Sequence, residues 1–145
     1  MASGAVYQAI RDHLVATWTA TPLAFENEDV DQHGNPLPPD PPVPFVEIEL
    51  TGTSYGQQSI GESRQADNRW DEEGVLFLHV LVAGGAGSML ARTYAKQLAD
   101  LFRGTTLLGG NLEFLDSFIG RGRPGERDGN WYLIPVDIEW RRVEA

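Results

Sequence analysis

Gly74–Gly104 reads GVLFLHVLVAGGAGSMLARTYAKQLADLFRG. Val75 to Val82 is almost wholly apolar, which predicts a β-strand covered on both faces. Gly84-Gly85-Ala86-Gly87-Ser88 then forms a turn, and a helix opens near Ser88. Leu90, Tyr94, Leu98 and Leu101 recur at helical spacing as its apolar stripe, with Arg92, Lys96 and Asp100 left to solvent. Gly104 falls where a helix needs a C-cap.

Strands surround this unit. Phe45–Thr51 alternates, with Val46, Ile48 and Leu50 on one face and Phe45, Glu47 and Glu49 on the other. Tyr132–Trp140 alternates too, with Tyr132, Ile134, Val136, Ile138 and Trp140 opposite Asp137, Glu139 and Arg141. Pro135 lacks a donor, so this strand is expected at a sheet edge or at a bulge. Leu23-Ala24-Phe25 and Leu112–Ile119 are further strand candidates. At the start, Ser3 can cap a helix running to about Thr17, with Val6, Ile10, Leu14 and Trp18 on one stripe. The pattern is an α+β fold: a mostly antiparallel or mixed β-sheet, two helices packed on one face, and a long projecting hairpin and loops. The 145 residues suit one domain, with no internal repeat.

Three segments stand out from the predicted sheet. Asn27–Pro44 holds six of the nine prolines in PLPPDPPVP, which cannot build a regular ladder. It reads as a projecting arm that orders on contact, or as a mobile surface loop. Ser59–Asn68 is the tip of the long hairpin. Gly120–Asn130, with Arg121, Arg123 and Arg127, is a glycine-rich basic loop suited to a partner's carboxylates, or simply solvated. Tyr55 and Trp70 flank the hairpin as interface anchors, unless they pack its base.

The chemistry is sparse. There is no cysteine, hence no disulfide, thiolate nucleophile or cysteine zinc site. The formal charge of −10 opposes loose binding to nucleic acid. From Glu26 to Glu49 there are acids and neither Lys nor Arg. The glycine turn lacks the Lys-Ser/Thr of a phosphate loop, and Leu90 stands where a dinucleotide fingerprint needs glycine. Asp29-Val30-Asp31-Gln32-His33-Gly34 imitates a calcium loop and puts Asp40 at its twelfth position. His33 at the fifth position and the lack of a final glutamate argue against one. Glu47, Glu49, Asp137 and Glu139 read as a solvated carboxylate row, with Arg141 and Arg142 near enough in sequence to pair with it. His79, on the face of Phe77 and Leu81, reads as a hydrogen-bonded core residue. His13 lies on a helix flank and His33 in a loop, and no histidine matches a nucleophile motif. No catalytic, metal or cofactor residue is assigned. No basic segment with a long apolar run marks a signal peptide, and no apolar stretch reaches the roughly 18 residues of a membrane helix.

The succession TPLAFEN at Thr21–Asn27, an acidic proline-rich loop, PFVEIELTG at Pro44–Gly52, a long hairpin and the Gly74–Gly104 unit resembles the phage tail-terminator family. That family includes lambda-like members and related tail proteins of gene transfer agents. The resemblance covers most of the chain through soft motifs. It implies a non-enzymatic virion protein assembled in the host cytoplasm and placed at the tail–neck junction. Such proteins form a hexameric ring that caps the tail tube, ends its polymerisation and offers its other face to head-completion proteins. Implied partners are further copies of the chain, the tail-tube protein and a head-completion or stopper protein, with DNA only passing through the bore and no membrane. Six copies at −10 each would carry about −60, and an acidic bore would let DNA slide. A head-closure, neck or tail-tube protein is the alternative within virion architecture. A small metal- or nucleotide-dependent enzyme is the alternative outside it. Candidate contact residues are Asp31 and Asp40 in the arm, Tyr55, Gln57, Gln58, Arg64, Arg69 and Trp70 along the hairpin, and Arg121, Arg123 and Arg127 in the basic loop.

Overall fold

The computed structural model describes residues 2–57, 70–124 and 130–144. In chain order the elements are α1 (Gly4–Thr17), β1 (Leu23–Ala24), β2 (Phe45–Gln57), β3 (Trp70–Ala83), α2 (Met89–Phe102), β4 (Thr106–Leu107), β5 (Leu112–Ile119), β6 (Arg123–Pro124) and β7 (Trp131–Glu144). They form one sheet of order β1-β2-β3-β7-β5-β4, with β6 beside β7. β1 runs parallel to β2, and every other pair is antiparallel. The α+β expectation is met. The β2–β3 ladder runs out to Gln57 opposite Trp70. The expected tip, Ser59–Asn68, lies outside the described residues.

Both helices cover one face. Ser3 caps α1 by accepting the Val6 N–H at 3.4 Å. Val6, Ile10, Leu14 and the following Trp18 are buried, as the spacing requires. They join Val46, Ile48, Leu76, Leu78, Val80, Ile134, Val136 and Ile138 in the main core. Helix α2 is turned from its expected phase. Leu90 is 48% exposed, and Tyr94 and Leu101 are half-buried at the flank. The buried line is Ala91, Ala95, Leu98, Ala99 and Phe102. Alanines let the helix axis approach the sheet, while Phe102 fills the space beside Phe114, ring to ring at 4.7 Å.

The second face of β3 is open where a covered strand was expected. Leu76, Leu78 and Val80 are buried, while Val75, Phe77 and His79 are half-exposed. At one end a small cluster of Ala24, Phe45, Leu81, Trp131 and Leu133 closes under Leu37 of the proline-rich segment. His79 is thus a surface residue tilted against Phe77, with ring centroids 6.1 Å apart, rather than a core histidine.

Pro135 does not mark an edge, because β7 lies inside the sheet between β3 and β5. Its carbonyl accepts the Gly120 N–H at 2.9 Å, so its nitrogen faces the same side. That side is the break between β5 and β6, where no ladder donor is required. The bulge in this region belongs to β5, between Phe114 and Ser117.

A buried ionic knot ties the first helix to the sheet. Glu72, 1% exposed, accepts the Ser3 N–H at 2.8 Å and the Ser3 hydroxyl at 2.9 Å. Arg142, directly opposite on β7, donates to the same carboxylate at 3.1 Å. Arg141 donates to Asp71 at 2.6 Å. Both arginines therefore serve Asp71 and Glu72, not the Glu47–Glu139 row.

Candidate interaction surface

The open face is built by alternation. β2, β3 and β7 put Ile48, Leu78 and Val136 under the helices, so their neighbours in sequence point the other way. Register lines these neighbours into rows across the sheet. Glu49 lies beside Phe77, then Asp137, then Phe118. Glu47 lies beside His79 and Pro135, and Thr51 beside Val75 and Glu139. The four carboxylates do share one face. Among the described residues no three acidic or histidine side chains are disposed to hold a metal ion.

At the β1–β2 flank, Ala24–Asp29, Glu47–Leu50 and His79 line a cleft of about 580 Å³. Five of its residues, Glu26, Glu28, Asp29, Glu47 and Glu49, are acidic, and among the described residues no Lys or Arg lines it. Arg11 reaches its rim from α1, stacked 4.1 Å over Phe25, and pairs with Glu28 at 2.6 Å. Side chains cap the backbone on this flank. Glu26 accepts the Leu50 N–H, and Gln32 accepts the Leu23 N–H at 2.7 Å. These caps close Leu23 and Leu50 to unwanted strand pairing, while among the described residues Gly52–Gln57 of β2 has no strand on its outer side.

The opposite flank is not sealed. β4 pairs with β5 only at Leu112 and Glu113, so among the described residues Leu115–Ile119 has no strand on its outer side. Leu115, Phe118 and Ile119 are 50%, 54% and 42% exposed. Between this edge and α2 lies a hollow of about 360 Å³ lined by Lys96, Ala99, Asp100, Arg103 and Leu115–Ser117 with Ile119.

The sequence-predicted contact residues are dispersed. Asp31 is 7% exposed and turned into its own loop. Its carboxylate accepts the His33 N–H at 2.8 Å and the Asn35 N–H at 3.0 Å. Burial alone would raise its pKa, but those N–H bonds hold the carboxyl below its usual range. The bridge between Val30 and Pro36 and the seat of Leu37 on the small cluster fold this segment back onto the domain instead of projecting it. Asp40 is exposed on a proline-lined hollow of about 550 Å³. Tyr55 and Trp70 meet on the β2–β3 ladder with ring centroids 5.4 Å apart, and Gln57 is the strand partner of Trp70. Arg121 and Arg123 are exposed just past β5. Gln58, Arg64, Arg69 and Arg127 lie outside the described residues. Sequence reasoning missed the acidic cleft and the bare β5 edge. Signals for both were present: the base-free run from Glu26 to Glu49, and apolar residues on both parities of LEFLDSFI.

The glycine turn carries no ligand geometry. Gly85 and Gly87 have φ of +84° and +80°, conformations that glycine adopts freely. The Ser88 side chain accepts from Arg92 at 3.1 Å and caps no backbone donor.

A surface of acids, exposed apolar side chains and a bare strand edge is that of a protein that works through contacts with other proteins. The chain belongs to the phage tail terminator protein family, whose model matches residues 5–140. It is accordingly a structural component of a phage tail. A solved structure with 19% sequence identity has the same fold, with a TM-score of 0.63 over 97% of this chain and 94% of that one. Among proteins of curated function, none matches the chain. Among the described residues, no helix is long and apolar enough to cross a membrane.

Proposed function

We propose that this protein is the tail terminator itself: a non-enzymatic ring, homo-hexameric by family resemblance, that caps the tail tube at its final length. One face of the ring stops further addition of tube protein. The other receives the head-completion or stopper protein at the tail–neck junction, and DNA passes through the bore without binding. The observation that carries this reading is the family match, which spans nearly the whole chain. The open sheet face supports it, since Asp137 and Glu139 on it would repel passing phosphates. The single domain has no catalytic step in this reading.

Capping is tested by adding the purified chain to tube protein polymerising in vitro. Tubes that stop growing and carry a ring at one tip, seen in negative stain, are the expected result. Long tubes made by this chain alone would make it a tube subunit. Uninhibited growth with no bound ring would overturn the proposal.

A further inference from the structure

We propose that the bare β5 edge of one copy docks against the acidic β1–β2 flank of the next, and that this contact joins neighbours in the ring. The inference rests on the ring reading and names the surfaces that close it.

The two flanks differ in charge where Arg121 and Arg123 follow β5 and where acids line the β1–β2 cleft. Among the described residues, the outer side of β5 presents backbone N–H and C=O groups that no strand covers, with arginines just past its end. The Gly120 N–H points inward to Pro135, so by alternation the Ile119 N–H points outward, beyond the last strand. Arg121 and Arg123 follow at once and are exposed, while Lys96 and Arg103 on α2 are held by Asp100 at 2.6 and 3.9 Å and Asp116 lines the same hollow. The β1–β2 flank presents acceptors. Its own backbone donors at Leu23 and Leu50 are already taken by Gln32 and Glu26, and its cleft is lined by five acids. Glu26 and Glu28 already hold the Leu50 N–H and Arg11, which leaves the exposed Asp29 and Glu49 to suit a partner offering guanidinium forks. Exposed apolar groups accompany both sides, with Val30 at 41% on one and Leu115, Phe118 and Ile119 on the other.

Register also puts the two surfaces at one height. Glu49 and Phe118 end the same transverse row, and Glu47 sits on the row of Pro135, where Gly120 is bonded. Phe45, Leu81, Leu133 and Arg123 make the next row. A copy displaced sideways along these rows therefore brings Phe118–Arg123 level with Phe45–Glu49. The two surfaces differ, so the contact is head-to-tail, and it closes into a ring when the rotation per step divides a full turn without rise.

The chain has no cysteine, which makes cross-linking clean. Asp29→Cys and Arg121→Cys are introduced together and treated with a short bismaleimide, alone and with tail tubes present. Within one chain the two flanks stand four strand spacings apart, about 19 Å, so a link joins different copies. A ladder of joined chains ending at ring size is expected from the double variant, and no species beyond a pair from either single variant. Arg121→Glu with Arg123→Glu, in this background with Cys moved to Ser117, should cut the ladder at least tenfold. Adding Glu49→Arg should restore it. Rings seen by microscopy without a ladder would overturn this contact and leave the ring standing. No ladder and no ring, even on tail tubes, would overturn both.

Discussion

Glu72 makes the sharpest test of how the fold is held. Its carboxylate accepts from the Ser3 backbone, the Ser3 hydroxyl and Arg142, and is 1% exposed. Glu72→Ala removes all three bonds and leaves Arg142, whose side chain is 23% exposed, without its charge partner. Breaking a buried pair costs about 3–5 kcal/mol, and the partial exposure of Arg142 favours the low end. The Ser3 bonds belong to the same knot and do not add in full. A loss of about 3 kcal/mol follows. With an unfolding entropy of about 2.1 cal/mol/K per residue, 145 residues give roughly 0.3 kcal/mol/K, so Tm should fall by about 10 °C. Urea unfolding followed by far-ultraviolet circular dichroism reads this as a lower midpoint at unchanged slope. The paired replacement Glu72→Leu with Arg142→Met should cost far less, because it leaves no charge behind. A loss under about 1 kcal/mol for Glu72→Ala, or equal losses for both variants, would refute the reasoning.

Two further outcomes follow from local geometry. In Gly74→Ala, the new Cβ would lie 1.9 Å from the Thr51 carbonyl oxygen and 2.7 Å from the Trp140 ring, so β2 and β7 must both shift. A loss of roughly 1–3 kcal/mol by urea unfolding is expected, and an unchanged midpoint would contradict the packing described. Asp31 has a folded pKa below its unfolded value, so its contribution is full above the unfolded value and fades as pH falls through the folded one. The stability difference between the parent chain and Asp31→Ala should thus be constant near neutrality and shrink in acid. A difference that grows on acidification would reverse the assigned sign.

The alternation of FVEIEL, the apolar run after Gly74 and the pattern from Tyr132 to Trp140 were enough to name the strands. Side-chain periodicity is a local property, and these segments repeat it over several residues. The Ser3 cap and the stripe of Val6, Ile10 and Leu14 were legible for the same reason. The family could also be read from the order of these elements, because element order survives where individual residues vary.

Tertiary structure alone decided the rest. Whether an apolar strand is covered on one face or two depends on what packs above it, and nothing local told Val75, Phe77 and His79 that their face stays open. The phase of α2 was settled by the fit of alanines against the sheet, which outweighed the larger leucine at position 90. Pro135 could sit inside the sheet because a break in the neighbouring strand fell beside it. Asp71 and Glu72 captured Arg141 and Arg142 because β3 and β7 happen to pair in that register. The acidic flank and the bare β5 edge became opposite ends of shared rows only once seven strands were set in order. Strand order brings together residues far apart in sequence, and no local pattern encodes it.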